Sequence, residues 1–168
     1  MLRLYILRHA KSAWPAPATG DHDRPLNKRG LNDLPKIGQM LLSREYSPDL
    51  VLCSSSQRTR DTWDGIAPYV SNSVMEIRDE LYESTTGRYL TAIRSVEGSK
   101  PLMLIGHNPV SDDLTRLLIT GNGLAASEFL PTHFPTGGLA VLDVDASDWH
   151  SIQATSAELV DFVRPRAL

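Results

Sequence analysis

Residues 2–7, LRLYIL, show little polar alternation and run directly into Arg8 and His9. A strand that is apolar on both faces must be covered on both faces, as in the middle of a parallel sheet. Two further runs have the same character, DLVLC at 49–53 and PLMLIGH at 101–107. Helical patterns separate them. Asn27 is placed to cap a helix running to about Arg44, with Leu31, Leu34, Ile37, Leu41 and Leu42 on one face. Pro35 inside that stretch predicts a kink or a late start. Further helices are expected over about 57–69, 87–97 and 108–120, the last with Asn108 at its cap and Pro109 in its first turn. MEIRDEL at 75–81 is a weaker strand, GLAVLDVD at 138–145 a clear one, and about 151–162 a last strand at a sheet edge. Residues 13–26, with three prolines, and 121–137 read as long loops, which are often functional.

Strands alternating with helices predict an α/β fold, a three-layer sandwich with a mostly parallel central sheet. A chain of 168 residues with no repeat, low-complexity tract or linker is most simply one domain, 1–168. The formal charge of −3 argues against a general nucleic-acid binder but allows a local basic pocket. The single cysteine, Cys53, excludes an internal disulfide framework and fits a reducing compartment. No apolar run reaches the ~18 residues of a membrane span, and Arg8, His9 and Lys11 interrupt any signal-peptide layout, so the cytoplasm is the default expectation.

In open α/β sheets ligands bind outside the carboxyl ends of the strands. Arg8 and His9 end the first run, Ser54 and Arg58 follow the second, Glu83 follows the third, and His107 ends the fourth. Two histidines and two arginines there suggest a phosphoryl pocket. Guanidinium forks match phosphate oxygens bidentately, and a neutral imidazole can carry the phosphoryl group covalently. Neighbouring guanidinium charge should keep that imidazole neutral. A helix starting at Asn108-Pro109 would add positive dipole.

With LRHAKS, CSSSQRTRDT, LYE and LIGHNP together, the chain resembles the histidine phosphatase superfamily, which includes cofactor-dependent phosphoglycerate mutases. The RHAKS opening, the DHDRPLNKRG stretch and the minimal length resemble its SixA-type phosphohistidine phosphatase branch. The resemblance runs from Arg3 to the PTGGLAVL segment at 135–142, with the family's Arg-His-Gly triplet present as Arg8-His9-Ala10. It implies a phosphoglycerate mutase-like fold with His9 as the phosphorylated nucleophile. Arg8, Arg58 and His107 would complete the phosphate pocket, with Ser54 and Asn108 beside it. The Ser-Ser-x-x-Arg spacing selects Arg58 over Arg60, since two residues two apart on a helix do not share a face. Ser54-Ser55 and Asp61-Thr62, where many members read Ser-Pro and Gln-Thr, read as variation at the helix entry. Glu83 resembles the acid that protonates the leaving oxygen in many members. It matters most for phosphate esters, because an imidazole leaves easily with its own protonation near pH ~6.5.

The implied activity is hydrolysis through a phosphohistidine intermediate on His9, without metal or cofactor. The implied substrate is protein phosphohistidine, with a small phosphorylated compound as the alternative, and no nucleic-acid or membrane partner. A non-catalytic phosphoprotein-binding module is the rival from another class. A mutase is disfavoured because it needs a site closed to water. The remaining candidates read as structural. Cys53 lacks the spacing and glycines of a cysteine-based phosphatase loop. Lys11 and Ser12 could touch substrate or be solvated. His22, His133 and His150 read as surface loop residues, and Trp14, Trp63 and Trp149 as packing residues.

Overall fold

The computed structural model describes residues 1–14, 16, 18–119 and 134–168. The expected histidine at 133 and most of the 121–137 loop lie outside the described residues. The elements in chain order are β1 (Leu2–Arg8), α1 (Lys28–Ser43), β2 (Leu50–Ser54), α2 (Gln57–Ile66), β3 (Val74–Arg78), α3 (Thr86–Arg94), β4 (Leu102–Gly106), α4 (Val110–Leu118), β5 (Leu139–Val144) and β6 (Ala157–Val163). The six strands form one sheet in the order β3-β2-β4-β1-β5-β6. The first four of these are parallel, while β5 runs antiparallel to both β1 and β6.

The lack of alternation in β1 has the expected cause. Leu2, Leu4 and Ile6 enter one apolar cluster, with residues of α3 and α4. Tyr5 and Leu7 enter a second on the opposite face, with residues of α1 and α2. β4 divides in the same way, Leu102 and Leu104 to one side and Met103 and Ile105 to the other. Helices on both faces of the sheet make the three layers. Among the described residues no helix is long and apolar enough to cross a membrane.

Two expectations for α1 are corrected. The helix starts at once after Asn27, whose side chain accepts from the Gly30 N–H, and it continues through Pro35. Pro35 is on the solvent side, where the carbonyl it leaves without a helical partner can be hydrated. The buried stripe is also rotated from the one the leucines suggest. Leu34, Ile37 and Leu41 are buried together with Asp33 and Met40, whereas Leu31 and Leu42 are 54% and 56% exposed. The latter two lie on the flank of the helix away from Met40.

Register places the site. β4 lies between β1 and β2, pairing Arg8 with Gly106 and Cys53 with Ile105. The residues after these strands therefore emerge side by side. The His9 N–H donates to the Gly106 carbonyl at 3.1 Å. Gly137, at φ +71°, donates its N–H to the carbonyls of Arg8 (3.1 Å) and His9 (2.9 Å), a left-handed turn that holds the end of β1. Gly106 allows a close approach, because a Cβ there would lie 2.3 Å from the Tyr89 hydroxyl.

Candidate active site

His9 is 6% exposed, and its Nδ1 lies 2.7 Å from the Ala10 carbonyl. A carbonyl only accepts, so Nδ1 carries the hydrogen and Nε2 keeps its lone pair. The backbone after His9 is pinned from α2. The Ala10 N–H donates to the Thr62 hydroxyl at 3.0 Å, and that hydroxyl donates to the Arg58 carbonyl at 2.8 Å. Thr62 is thus more than variation at the helix entry, since it joins the segment bearing His9 to the helix bearing Arg58. Asp61 beside it accepts from Gln57 at 2.6 Å and from the Leu26 N–H at 3.3 Å.

His107 faces His9 with ring centroids 5.4 Å apart. Its Nε2 shares a 2.7 Å hydrogen bond with Oγ of the buried Ser54. Its backbone N–H donates to the Tyr89 hydroxyl at 3.1 Å, which itself donates to the Leu81 carbonyl at 3.2 Å. Tyr89, fully buried on α3, therefore sets the height of His107 against the segment that leads to Glu83.

The two arginines enter from opposite sides. Arg8 donates to the Phe134 carbonyl at 2.8 Å, and Asn108 donates its side-chain N–H to the same carbonyl at 2.8 Å. Asn108 does not cap α4. Pro109 occupies the cap position with no side-chain hydrogen bond, while the Asn108 side-chain N–H is turned to Phe134. Arg58 is 7% exposed and donates to the Asp21 carbonyl (2.8 Å) and to Asp21 Oδ2 (3.2 Å). Arg60 turns away and donates to Gln57 at 3.1 Å. Arg8, His9, Arg58, His107 and Asn108 share the lining of a cavity of about 300 Å³ with Lys11 and Arg24. Arg8 Nε, His107 Nδ1 and Asn108 Oδ1 are buried with no hydrogen-bond partner among the described residues. Unmet hydrogen-bonding capacity at one place is rare in a folded chain and marks a place for a polar ligand.

Glu83 lies at the edge of the site. It is exposed, sits at φ +46°, and lines an adjoining recess of about 190 Å³ that shares Arg58, His107 and Asn108 with the main cavity. His9 does not line that recess.

Asp21, Tyr82 and Arg24 carry much of the arrangement, although the DHDRPLNKRG and LYE segments that hold them assigned them no role. Asp21 Oδ2 accepts from the Tyr82 hydroxyl at 2.6 Å, and Oδ1 accepts from Arg24 at 2.9 Å. The Tyr82 hydrogen bond, then Arg24 and Arg58, hold the Asp21 carboxyl well below the usual carboxylate range. It is an ionised brace for Arg58. Arg24 also donates to Ser12 Oγ at 2.7 Å and to the Ala13 carbonyl at 2.9 Å, closing the base of the 13–26 loop. His22 lies on the rim rather than free in solvent, with its Nε2 3.0 Å from Ser55 Oγ and its ring edge-on to Tyr82 at 4.7 Å. The signals for these contacts were the length of the loop and the DHDRPLNKRG and LYE segments themselves, neither of which showed the pairing. Trp63 and Trp149 are packed, but Trp14 is 89% exposed at the cavity edge, with the Arg24 guanidinium 5.8 Å from its ring. Cys53 is fully buried, and burial pushes its thiol up to about 12, as suits an inert apolar group.

Both site histidines are held neutral, with pKa values lowered to about 3. Burial is the largest cause for each. His107, Arg8 and Arg58 add to it at His9, and Arg58, Arg8 and His22 add to it at His107, where Asp21 opposes them. The arginines therefore act as expected but second to burial. Their folded pKa values lie below the unfolded ~6.5. The unfolded chain therefore binds more protons between pH ~6.5 and the folded values, and stability is present above that window and lost as pH falls through it. Urea unfolding should show stability falling by about 1 kcal/mol per pH unit for each histidine between pH ~6 and ~4. His107→Asn should flatten that dependence, and an unchanged slope would contradict the buried neutral state.

The residues 4–98 match the family profile of the histidine phosphatase superfamily (branch 1). The chain belongs to the histidine phosphatase superfamily. An uncharacterized protein of Mycobacterium tuberculosis is 35% identical over 163 residues, covering 95% of this chain and 100% of that protein. The crystal structure of a candidate phosphohistidine phosphatase SixA from Agrobacterium tumefaciens superposes with a TM-score of 0.84 at 35% identity, covering 98% of each chain. A second candidate SixA, from Nakamurella multipartitia, gives 0.82 at 28% identity, covering 98% of this chain and 96% of that one. The fold is thus the phosphoglycerate mutase-like fold and the branch is SixA-type. As a member of this superfamily the chain is a phosphatase.

Proposed function

We propose that the chain, acting as one domain over residues 1–168, removes the phosphoryl group from protein phosphohistidine through a phosphoenzyme at His9. The observation that carries the reading is the state of His9. Its Nδ1 is committed to the Ala10 carbonyl, its ring is neutral, and Nε2 is left as the nucleophile in a cavity edged by the guanidinium groups of Arg8, Arg24 and Arg58. In the first step Nε2 bonds to phosphorus as the bond from phosphorus to the substrate imidazole breaks, and the substrate ring, protonated on its other nitrogen, leaves as neutral imidazole. Arg8 and Arg58 balance charge on the equatorial oxygens. His107 and Asn108 supply hydrogen bonds to the same oxygens. In the second step water attacks the His9 phosphoryl and gives up a proton, releasing phosphate and restoring the imidazole. No step draws on a metal or cofactor.

The leaving group decides between phosphohistidine and a phosphate ester. Glu83 lines the recess that adjoins the His9 cavity through Arg58, His107 and Asn108, at its rim rather than inside it, an arrangement suited to a leaving group that needs little acid assistance. Glu83→Gln should leave phosphohistidine turnover nearly unchanged and lower p-nitrophenyl phosphate or alkyl phosphate turnover toward the ~10²–10⁴-fold value of a lost general acid, most for the alkyl ester. Equal loss on both substrates would make Glu83 a general proton donor and remove this argument for phosphohistidine. Phosphate-dependent binding with no turnover of either would favour the binding module.

A further inference from the structure

The phosphate cavity opens into a cationic tract whose side chains beyond Arg8 the reaction itself does not use. A cleft of about 520 Å³ shares Arg8, Lys11 and Thr136 with the cavity and adds Arg29, Arg164 and Arg166. Among the described residues its lining has five cationic side chains and no carboxylate. A second cleft of about 710 Å³ continues from it through Arg29 and Arg166 to Lys28 and Lys36, with Asp33 the one acid among the described residues of its lining. The chain as a whole carries −3, so this concentration runs against its average.

Three segments distant in sequence supply the charge: Lys11 after β1, the first turns of α1, and the residues after β6. Lys11, Lys28, Arg29, Lys36 and Arg166 are exposed, and among the described residues none of them makes an ion pair. Lys28 and Arg29 moreover sit in the first turn of α1, which has no acidic residue. Cations there oppose the helix dipole, so folding alone would not select them.

We propose that this tract docks an acidic surface segment of the phosphoprotein substrate, adjacent to the phosphohistidine held at His9. The inference rests on the phosphohistidine reading above and adds the recognition surface to it. Its length favours a protein over a second phosphate of a small molecule. Lys28 to Lys36 alone spans ~12 Å of helix, beyond the cleft that already adjoins the cavity. Among the described residues neither cleft is lined by an aromatic side chain on which a base would stack, which disfavours single-stranded nucleic acid.

The test uses two synthetic phosphohistidine peptides of equal length, one flanked by glutamates and one by glutamines. The wild type should favour the acidic peptide in kcat/KM by about 10-fold at low salt, with the preference collapsing near ~0.5 M NaCl. Combined Arg29→Glu, Lys36→Glu and Arg166→Glu should abolish or invert the preference. The same variant should hydrolyse free phosphoramidate like the wild type, since none of the three lines the His9 cavity. A flank-independent wild type, or a variant with the wild-type preference, overturns the proposal. Binding of an unphosphorylated polyglutamate peptide, lost in the triple variant, tests the tract apart from the chemistry. If the wild type binds that peptide yet turns over no phosphohistidine, the substrate reading fails and the docking surface stands. Tighter binding of oligothymidylate than of polyglutamate would assign the tract to nucleic acid and overturn the proposal.

Discussion

His9→Ala is expected to reduce turnover of phosphohistidine and phosphate esters alike by roughly 10⁴-fold or more, the scale seen when a covalent nucleophile is removed. The loss should be in kcat. Phosphate binding should largely remain, because Arg8, Arg58 and Asn108 are held by Phe134 and Asp21 rather than by His9. The fold should remain too. The backbone around position 9 is secured by Gly106, Gly137 and the Thr62 contact to Ala10, none of which involves the imidazole. The decisive readout is the phosphoenzyme. Wild type quenched in alkaline detergent after a brief exposure to labelled substrate should carry acid-labile, base-stable label, and the variant should carry none. Residual activity within tenfold of wild type, or label persisting in the variant, would place the nucleophile elsewhere.

The second large effect is expected at Arg58. Its guanidinium makes two contacts with Asp21 while lining the cavity. A lysine supplies one point charge and cannot make both contacts while presenting a fork to the phosphoryl oxygens. Arg58→Lys should therefore lower kcat/KM by about 10²–10³-fold, the range for loss of a preorganised electrostatic group. Arg58→Ala should be more damaging, and should also lower the melting temperature, because the Asp21 carboxylate loses a partner for its charge. Arg60→Lys provides the control, since Arg60 is directed to Gln57 and does not line the cavity. If Arg60→Lys proved the more damaging change, the assignment of the phosphate-binding arginine to position 58 would be wrong.

Much of this site is legible in the chain because parallel strands deliver their next residues to one edge. LRLYIL, DLVLC and PLMLIGH are recognisable by their apolar character, and the register of β1 with β4 and of β4 with β2 follows from packing them side by side. Arg8, His9, Ser54, Arg58 and His107 thus come into reach as soon as the fold class is known. Glu83 is different. It follows a weak strand whose end is a short 3-10 turn, Asp79–Leu81, and the left-handed backbone at Glu83 itself turns the chain there. A strand-end rule carries the residue to the right edge, and the turn there leaves it in the recess beside the cavity that His9 lines. The same limit shows on α1, where five leucine and isoleucine positions define a stripe by spacing alone. The sheet takes the neighbouring stripe that includes Asp33 and Met40.

Sequence alone pointed to the reaction class, because Arg8-His9 at the end of a buried strand, with Arg58 and His107 in two further segments that resemble the same family, carries a direct chemical meaning. It also determined the layer architecture, because strands apolar on both faces require helices on both sides. Tertiary structure alone decided how the groups are held and what surrounds them. Asp21 meets Arg58 across 37 positions, and Phe134 meets Arg8 across 126. The neutrality of both histidines comes chiefly from burial, a property of the assembled fold rather than of their neighbours in sequence. The cationic tract likewise arises only when Lys11, the start of α1 and the end of the chain are brought together. Long-range contacts of this kind depend on packing that short sequence patterns do not encode, which is why the chemistry can be read from a few motifs while the recognition surface cannot.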